Sequence, residues 1–113
     1  MIIARAAWNT FFLIAAAWPA TAEEGVASVY GRSSGSQVAC GGTLDEGALT
    51  AAHKTLRCGR RVRVTNKANG WRIWVRINDR GPFNDRVIDL TPAAAKAIGI
   101  NDLARVSLEP EPE

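Results

Sequence analysis

Two runs of the chain, Arg61-Val62-Arg63-Val64-Thr65 and Arg72-Ile73-Trp74-Val75-Arg76-Ile77, alternate polar and apolar residues with period two. Successive side chains on a strand point to opposite faces, so each run predicts a half-buried strand with an arginine face. Asn69-Gly70 between them is a strong two-residue hairpin signal, which pairs the runs antiparallel. Val26 to Tyr30 is a shorter β-prone run that stops in Gly31-Arg32-Ser33-Ser34-Gly35-Ser36, a loop by composition. Asp79-Arg80-Gly81-Pro82 supplies turn residues, Arg86 to Leu90 resumes as a strand, and Arg105 to Leu108 makes a last one. Thr91-Pro92 gives an N-cap and an N1 proline to a two-turn helix over Ala93 to Ile98, with Gly99 placed to end it. Short strands with one or two short helices predict a mainly β chain, a small barrel.

The N-terminus is of another kind. Arg5 is followed by an apolar stretch from Phe11 to Trp18 and then by Ala20-Thr21-Ala22, a small-residue cleavage pattern. Residues 1–22 are therefore expected to be a signal peptide cleaved after Ala22, which sends the rest to the periplasm or outside the cell. The apolar run is shorter than the roughly 20 residues that span a bilayer. No cysteine follows it before Cys40, so neither a membrane anchor nor a lipid anchor is expected.

About 90 residues remain after the signal, enough for one domain with a small core. Cys40 and Cys58 are the two cysteines, and an even count in an oxidising compartment reads as a disulfide. Two free thiols or a metal site are the alternatives, but two cysteines and the single histidine, His53, are too few for a structural zinc site. No metal and no cofactor are expected. The formal net charge of the whole chain is +3, and basic residues crowd between Lys54 and Arg80, where Asp79 is the one acid. For an exported protein that cationic surface suits cell-wall polymers or lipid headgroups rather than nucleic acid. A solvated strand face that uses arginine for solubility is the plainer reading. Residues 109–113 alternate Glu and Pro and read as an acidic, frayed tail beyond a barrel domain of residues 23–108.

The blocks Ala48-Leu49-Thr50-Ala51-Ala52-His53, Arg61 to Asn66, Asn78-Asp79-Arg80-Gly81-Pro82-Phe83 and Arg86-Val87-Ile88-Asp89-Leu90-Thr91, in this order, closely resemble the rare lipoprotein A (RlpA) family of septal-ring lytic transglycosylases. The resemblance runs from about Ala27 to Leu108. It implies a six-stranded double-psi β-barrel, a fold also used by expansins, and endolytic cleavage of peptidoglycan glycan strands without water, leaving anhydromuramic ends. It further implies a monomer, with envelope or division proteins as additional candidate partners.

In that family the residues implicated are a glutamate, an aspartate three residues on, and a histidine eight beyond it; here the last two fall on Asp45 and His53, while Gly42 stands where the glutamate should be. Asp89 sits where the expansin barrel carries an aspartate. The expected catalytic set is thus Asp45, His53 and Asp89, with Tyr30, Asn78, Asp79 and Arg80 as substrate contacts. The segments around Cys40 and Cys58 resemble a cysteine-containing branch in which a disulfide ties the loop before Asp45 to the segment after His53. A lytic transglycosylase can work with one carboxyl group as acid and then base, because the attacking hydroxyl belongs to the sugar itself. Gly42 also admits the alternative of a non-catalytic module that binds or loosens peptidoglycan. Trp71 and Trp74, three apart on a strand, are expected to face opposite sides, so at most one meets glycan.

Overall fold

The computed structural model describes residues 22–31 and 35–113. The expected signal segment lies, but for Ala22, outside the described residues. Six strands form the barrel: β1 (Glu23–Val29), β2 (Thr50–Ala52), β3 (Arg61–Asn66), β4 (Arg72–Asp79), β5 (Ile88–Leu90) and β6 (Ala104–Pro110). One helix, α1 (Pro92–Ala97), stands between β5 and β6. The sheet closes in the order β1-β5-β2-β4-β3-β6. Strands β1 and β5 run parallel, as do β2 and β4, and the other pairs are antiparallel.

The period-two pattern fills the interior. Val62, Val64, Val75, Ile77, Ile88, Leu90, Val106 and Leu108 point inward and are at most 1% exposed. Each such side chain contributes about 1.5–3 kcal/mol by leaving water. Helix α1 closes one end with Ala94, Ala95 and the following Ile98, all buried. Thr91 caps it as expected, accepting from the Ala94 N–H. Gly99 donates to the Lys96 carbonyl and Ile100 to that of Ala95, a Schellman closure that needs the positive φ of 75° at Gly99. A Cβ there would also lie 2.9 Å from Asn69 Nδ2.

Three details differ from the sequence reading. The Asn69-Gly70 turn is there, but Asn66 N–H donates to Trp71 O, so the loop holds four residues rather than two. Asn66 is buried at the barrel end, where its Nδ2 donates to Ile98 O, and this interaction favours the longer loop. Strand β2 had no periodic signal, since all three of its residues are buried. Strand β6 runs on to Pro110, and the tail is held rather than frayed: Glu111 N–H donates to Arg61 O, while Glu109 and Glu111 pair with Arg63 and Arg61.

Candidate functional site

Register builds one row of side chains across four strands: Ser28 on β1 opposes Asp89 on β5, which opposes Ala52 on β2, which opposes Asp79 on β4. Ile88 and Leu90 point into the core, so alternation turns Asp89 to the outer face, where it is half-buried. Ser28 Oγ donates to Asp89 Oδ1 at 3.0 Å. The single methyl of Ala52 leaves a gap between the two acids, whose Cα atoms stand roughly 10 Å apart at normal strand spacing. Burial pushes the Asp89 carboxyl up, with Ser28 and Arg86 pulling the other way and Asp79 adding to the rise.

Tyr30, just after β1, is 6% exposed and its N–H donates to Leu90 O. Burial first, then the charges of Asp79 and Asp89, push its hydroxyl up to about 12, so it stays a protonated donor at every working pH. The Tyr30 and Thr50 hydroxyls and Asn78 Oδ1 are buried with no hydrogen-bond partner among the described residues. The Thr50 hydroxyl is near enough to temper the Tyr30 shift, yet the pair does not reach hydrogen-bond geometry. Leaving a buried polar atom unmet costs about 1–3 kcal/mol, so these three atoms make this region the candidate site.

Thr50 and Asn78 carry this face into a cavity of about 480 Å³ that is also lined by Asp45, Thr43, Cys40, Cys58 and Arg76. The loop bearing Asp45 is held at several points. Cys40 and Cys58 form the expected disulfide, with Cα atoms 5.8 Å apart. Cys40 N–H donates to Asn78 O, Ala39 N–H to Asp79 Oδ1 at 2.7 Å, and Thr91 Oγ1 to Ala48 O at 2.7 Å. Asp45 itself is exposed and accepts from Gly47 N–H at 2.9 Å, a local turn contact. Gly42 is exposed with φ of 89°.

His53 faces elsewhere. It is 5% exposed and lines a separate cavity of about 310 Å³ with Glu23, Leu56 and Arg60. Its Nδ1 accepts from the N–H groups of Thr55 and Leu56, both at 3.1 Å. That assigns the ring proton to Nε2, which donates to Glu23 Oε1 at 3.0 Å. Arg80 Nη1 donates to the carbonyls of His53 and Leu56, at 2.9 and 2.7 Å, and braces the same turn.

The structure therefore gathers Tyr30, Asp79 and Asp89, places Asp45 with Asn78 and Thr50 in the cavity beside them, and leaves His53 and the engaged guanidinium of Arg80 apart. Asp79 accepts from the N–H groups of Ala39 and Arg80, so one of its oxygens braces the loop. Trp74 lies under Arg61 and Arg63, at 4.9 and 5.7 Å from ring centroid to guanidinium, and Trp71 precedes β4 rather than lying on it. Ser28 and Thr50 escaped the sequence reading. A hydroxyl between Ala27 and Val29, and another opening an otherwise apolar Thr-Ala-Ala run, were the available signals.

A family model described as lytic transglycolase matches residues 22–108. The "Probable endolytic peptidoglycan transglycosylase RlpA" of Synechocystis sp. is 56% identical over 79 residues, 68% of this chain and 25% of its own length. The "Endolytic peptidoglycan transglycosylase RlpA" of Pseudomonas aeruginosa is 53% identical over 89 residues, 75% of this chain and 26% of its own. The Treponema pallidum relative, a "Probable endolytic peptidoglycan transglycosylase RlpA", is 44% identical over 110 residues, 94% of this chain and 34% of its own. The chain thus spans about a quarter to a third of the length of these relatives. Among solved structures, the Streptomyces papain inhibitor superposes with a TM-score of 0.64 at 22% identity, covering 82% of this chain and 96% of that one. An expansin of Clavibacter michiganensis gives 0.65 at 19% identity, covering 82% of this chain and 52% of that one. Both are double-psi β-barrels, the fold this chain adopts.

Proposed function

The chain belongs to the lytic transglycosylase family matched over residues 22–108, and on that premise we propose that it cleaves peptidoglycan glycan strands in the groove between Tyr30, Asp45, Asp79 and Asp89. The observation that carries this reading is Asp89: a half-buried carboxyl, held by Ser28 and raised by burial, near buried polar atoms that have no partner among the described residues. A carboxyl that keeps its proton to higher pH is suited to protonating a glycosidic oxygen.

In the proposed reaction Asp89 gives its proton to the leaving oxygen as the bond from that oxygen to the anomeric carbon breaks. The 6-hydroxyl oxygen of the same muramic sugar then bonds to that carbon, and its proton passes to Asp89. No water is consumed, and the carboxyl ends as it began. Tyr30 donates to the sugar, Thr50 and Asn78 take up its hydroxyl and amide groups, and Asp45 orients the strand from the loop side. Asp79 shapes the groove and raises its neighbours. His53 is a positioning residue in this scheme, since both ring nitrogens are engaged away from the groove. Cleavage of the signal after Ala22 and action in the periplasm or outside the cell complete the proposal, and the Cys40–Cys58 bond fits that setting.

The test is incubation of the purified protein with peptidoglycan sacculi and mass spectrometry of the soluble products. Anhydromuramic fragments that disappear with Asp89→Asn are the expected result. Gly42, in place of the family glutamate, favours a second reading, a binding module without catalysis. Sacculi that pellet the protein while releasing no such fragments would establish that reading and overturn the first.

A further inference from the structure

Most guanidinium groups on the barrel wall are already matched. Arg60 donates to Glu111 O and pairs with Glu113, Arg61 pairs with Glu111, Arg63 with Glu109, and Arg80 is spent on backbone carbonyls. Arg76 differs. It is exposed, its guanidinium has no hydrogen bond or ion pair among the described residues, and it lines the cavity that holds Asp45, Thr50 and Asn78. Arg72 is likewise unpaired among the described residues, but its cavity holds none of the buried polar atoms that lack a partner, whereas that of Arg76 holds two.

The register adds a second observation. Arg76 on β4 stands directly opposite Arg61 on β3, a like-charge pair of the kind that weakens a sheet. Arg61 is relieved by Glu111 and by stacking on Trp74. Arg76 has no such relief from the described residues. Next to it, the unmet Asn78 Oδ1 and Thr50 Oγ1 ask for hydrogen-bond partners from outside.

We propose that Arg76 is the anion-recognition residue of the groove, binding a carboxylate carried by the glycan so that the site selects acidic saccharide over neutral. The inference rests on the groove being the peptidoglycan site. A guanidinium meets a carboxylate through two parallel N–H donors, fixing orientation as well as adding affinity. A strand held at Arg76 has its neighbouring sugar hydroxyls and amides within the reach of Thr50 and Asn78, and is set in register against Asp45. Peptidoglycan offers such a carboxylate in two places: the lactyl group of muramic acid when the peptide stem is absent, and the stem itself when it is present.

The experiment compares wild type, Arg76→Gln and Arg76→Lys for binding to stem-free peptidoglycan strands, stem-bearing strands and neutral N-acetylglucosamine oligomers of matched length. The expected result is that Arg76→Gln binds at least one acidic ligand about tenfold more weakly or worse, as loss of a charged hydrogen bond implies, with neutral binding unchanged. Arg76→Lys should retain part of the affinity. A loss confined to stem-free strands identifies the lactyl group, and one confined to stem-bearing strands identifies the stem. Carbodiimide amidation of the strands must lower wild-type affinity by the same factor, a control that holds even should the glutamine variant fold poorly. Unchanged affinity for both acidic ligands, or an equal loss on the neutral oligomer, overturns the proposal. Wild type that cleaves sacculi while Arg76→Gln binds normally sinks this inference alone; wild type that binds none of the three ligands sinks the proposed function with it.

Discussion

Asp89 carries its proton to higher pH than an ordinary aspartate because burial outweighs the Ser28 hydrogen bond and the Arg86 charge. A carboxyl whose folded pKa is raised favours folding in its protonated form, so its contribution is full below the ordinary value of 3.8 and is lost as pH climbs through the raised one. Asp89→Asn keeps the acceptor for Ser28 and removes the buried charge. Its melting temperature should match wild type near pH 3 and exceed it modestly near pH 7, because solvent screens a half-exposed group. A variant less stable at pH 7 than at pH 3, relative to wild type, would show that the charged carboxylate is stabilised instead. Gly42 makes the complementary point. A side chain there enters open space but must adopt φ of 89°, at a cost of about 1–2 kcal/mol. Gly42→Glu should thus melt several degrees lower while raising release of anhydromuramic fragments at least about tenfold, since a placed acid commonly adds that much or more. An unchanged rate would mean that Asp89 needs no second carboxyl. At this scale the chain displays its acids but not their company: Asp45, Asp79 and Asp89 are each conspicuous in sequence, whereas the row that joins Asp79 to Asp89 through Ala52 exists only once β2 has paired with β4 on one side and with β5 on the other. His53 was conspicuous because it is the lone histidine, and nothing in its neighbours disclosed that two amides would occupy its ring.

The elements were legible in proportion to how local their signals are. Strands β3 and β4 announce themselves by alternation, and helix α1 by Thr91, Pro92 and Gly99. Strand β2 does not, because three buried residues carry no period, and its parallel pairing with β4 depends on a long connection that no short window contains. The double-psi order came from resemblance, not from pattern. The loop between β1 and β2 is the element whose position the site depends on most, and its main fastening is the Cys40–Cys58 bond across a sequence separation of 18. Closing a loop of that size is worth about 3 kcal/mol in the chain-entropy account. Replacing both cysteines by serine should lower the melting temperature by roughly 12–24 °C, as calorimetry will read, given 4–8 °C per kcal/mol for a domain this small. Fragment release should fall as well, measured at a temperature where the variant is still folded, since Asp45 loses its anchor while Asp89 keeps its own. A variant that is less stable yet fully active would move Asp45 out of the working site.

Over the whole molecule, closure of the sheet leaves no free strand edge, and the outer wall becomes the surface on which charge is distributed. The basic residues clustered between Lys54 and Arg80 do not present an open cationic wall, because the C-terminal glutamates fold back on them: Glu109 to Arg63, Glu111 to Arg61, and Glu113 to Arg57 and Arg60. Net charge read from the sequence overstates what a polyanion meets on that side, and among the described residues Arg76 is left as the unpaired cation of the Asp45 cavity. Replacing Glu109, Glu111 and Glu113 together by glutamine removes three negative charges and releases the arginines beneath. Exposed pairs contribute little, so the variant should melt close to wild type. Its retention on sacculi at low salt should rise several-fold. That gain should vanish as the screening length shrinks from about 10 Å at 0.1 M salt toward 3 Å at 1 M. Retention equal to wild type across the salt series would mean that the β3 side of the barrel turns away from the polymer, leaving the groove with Arg76 to hold it alone.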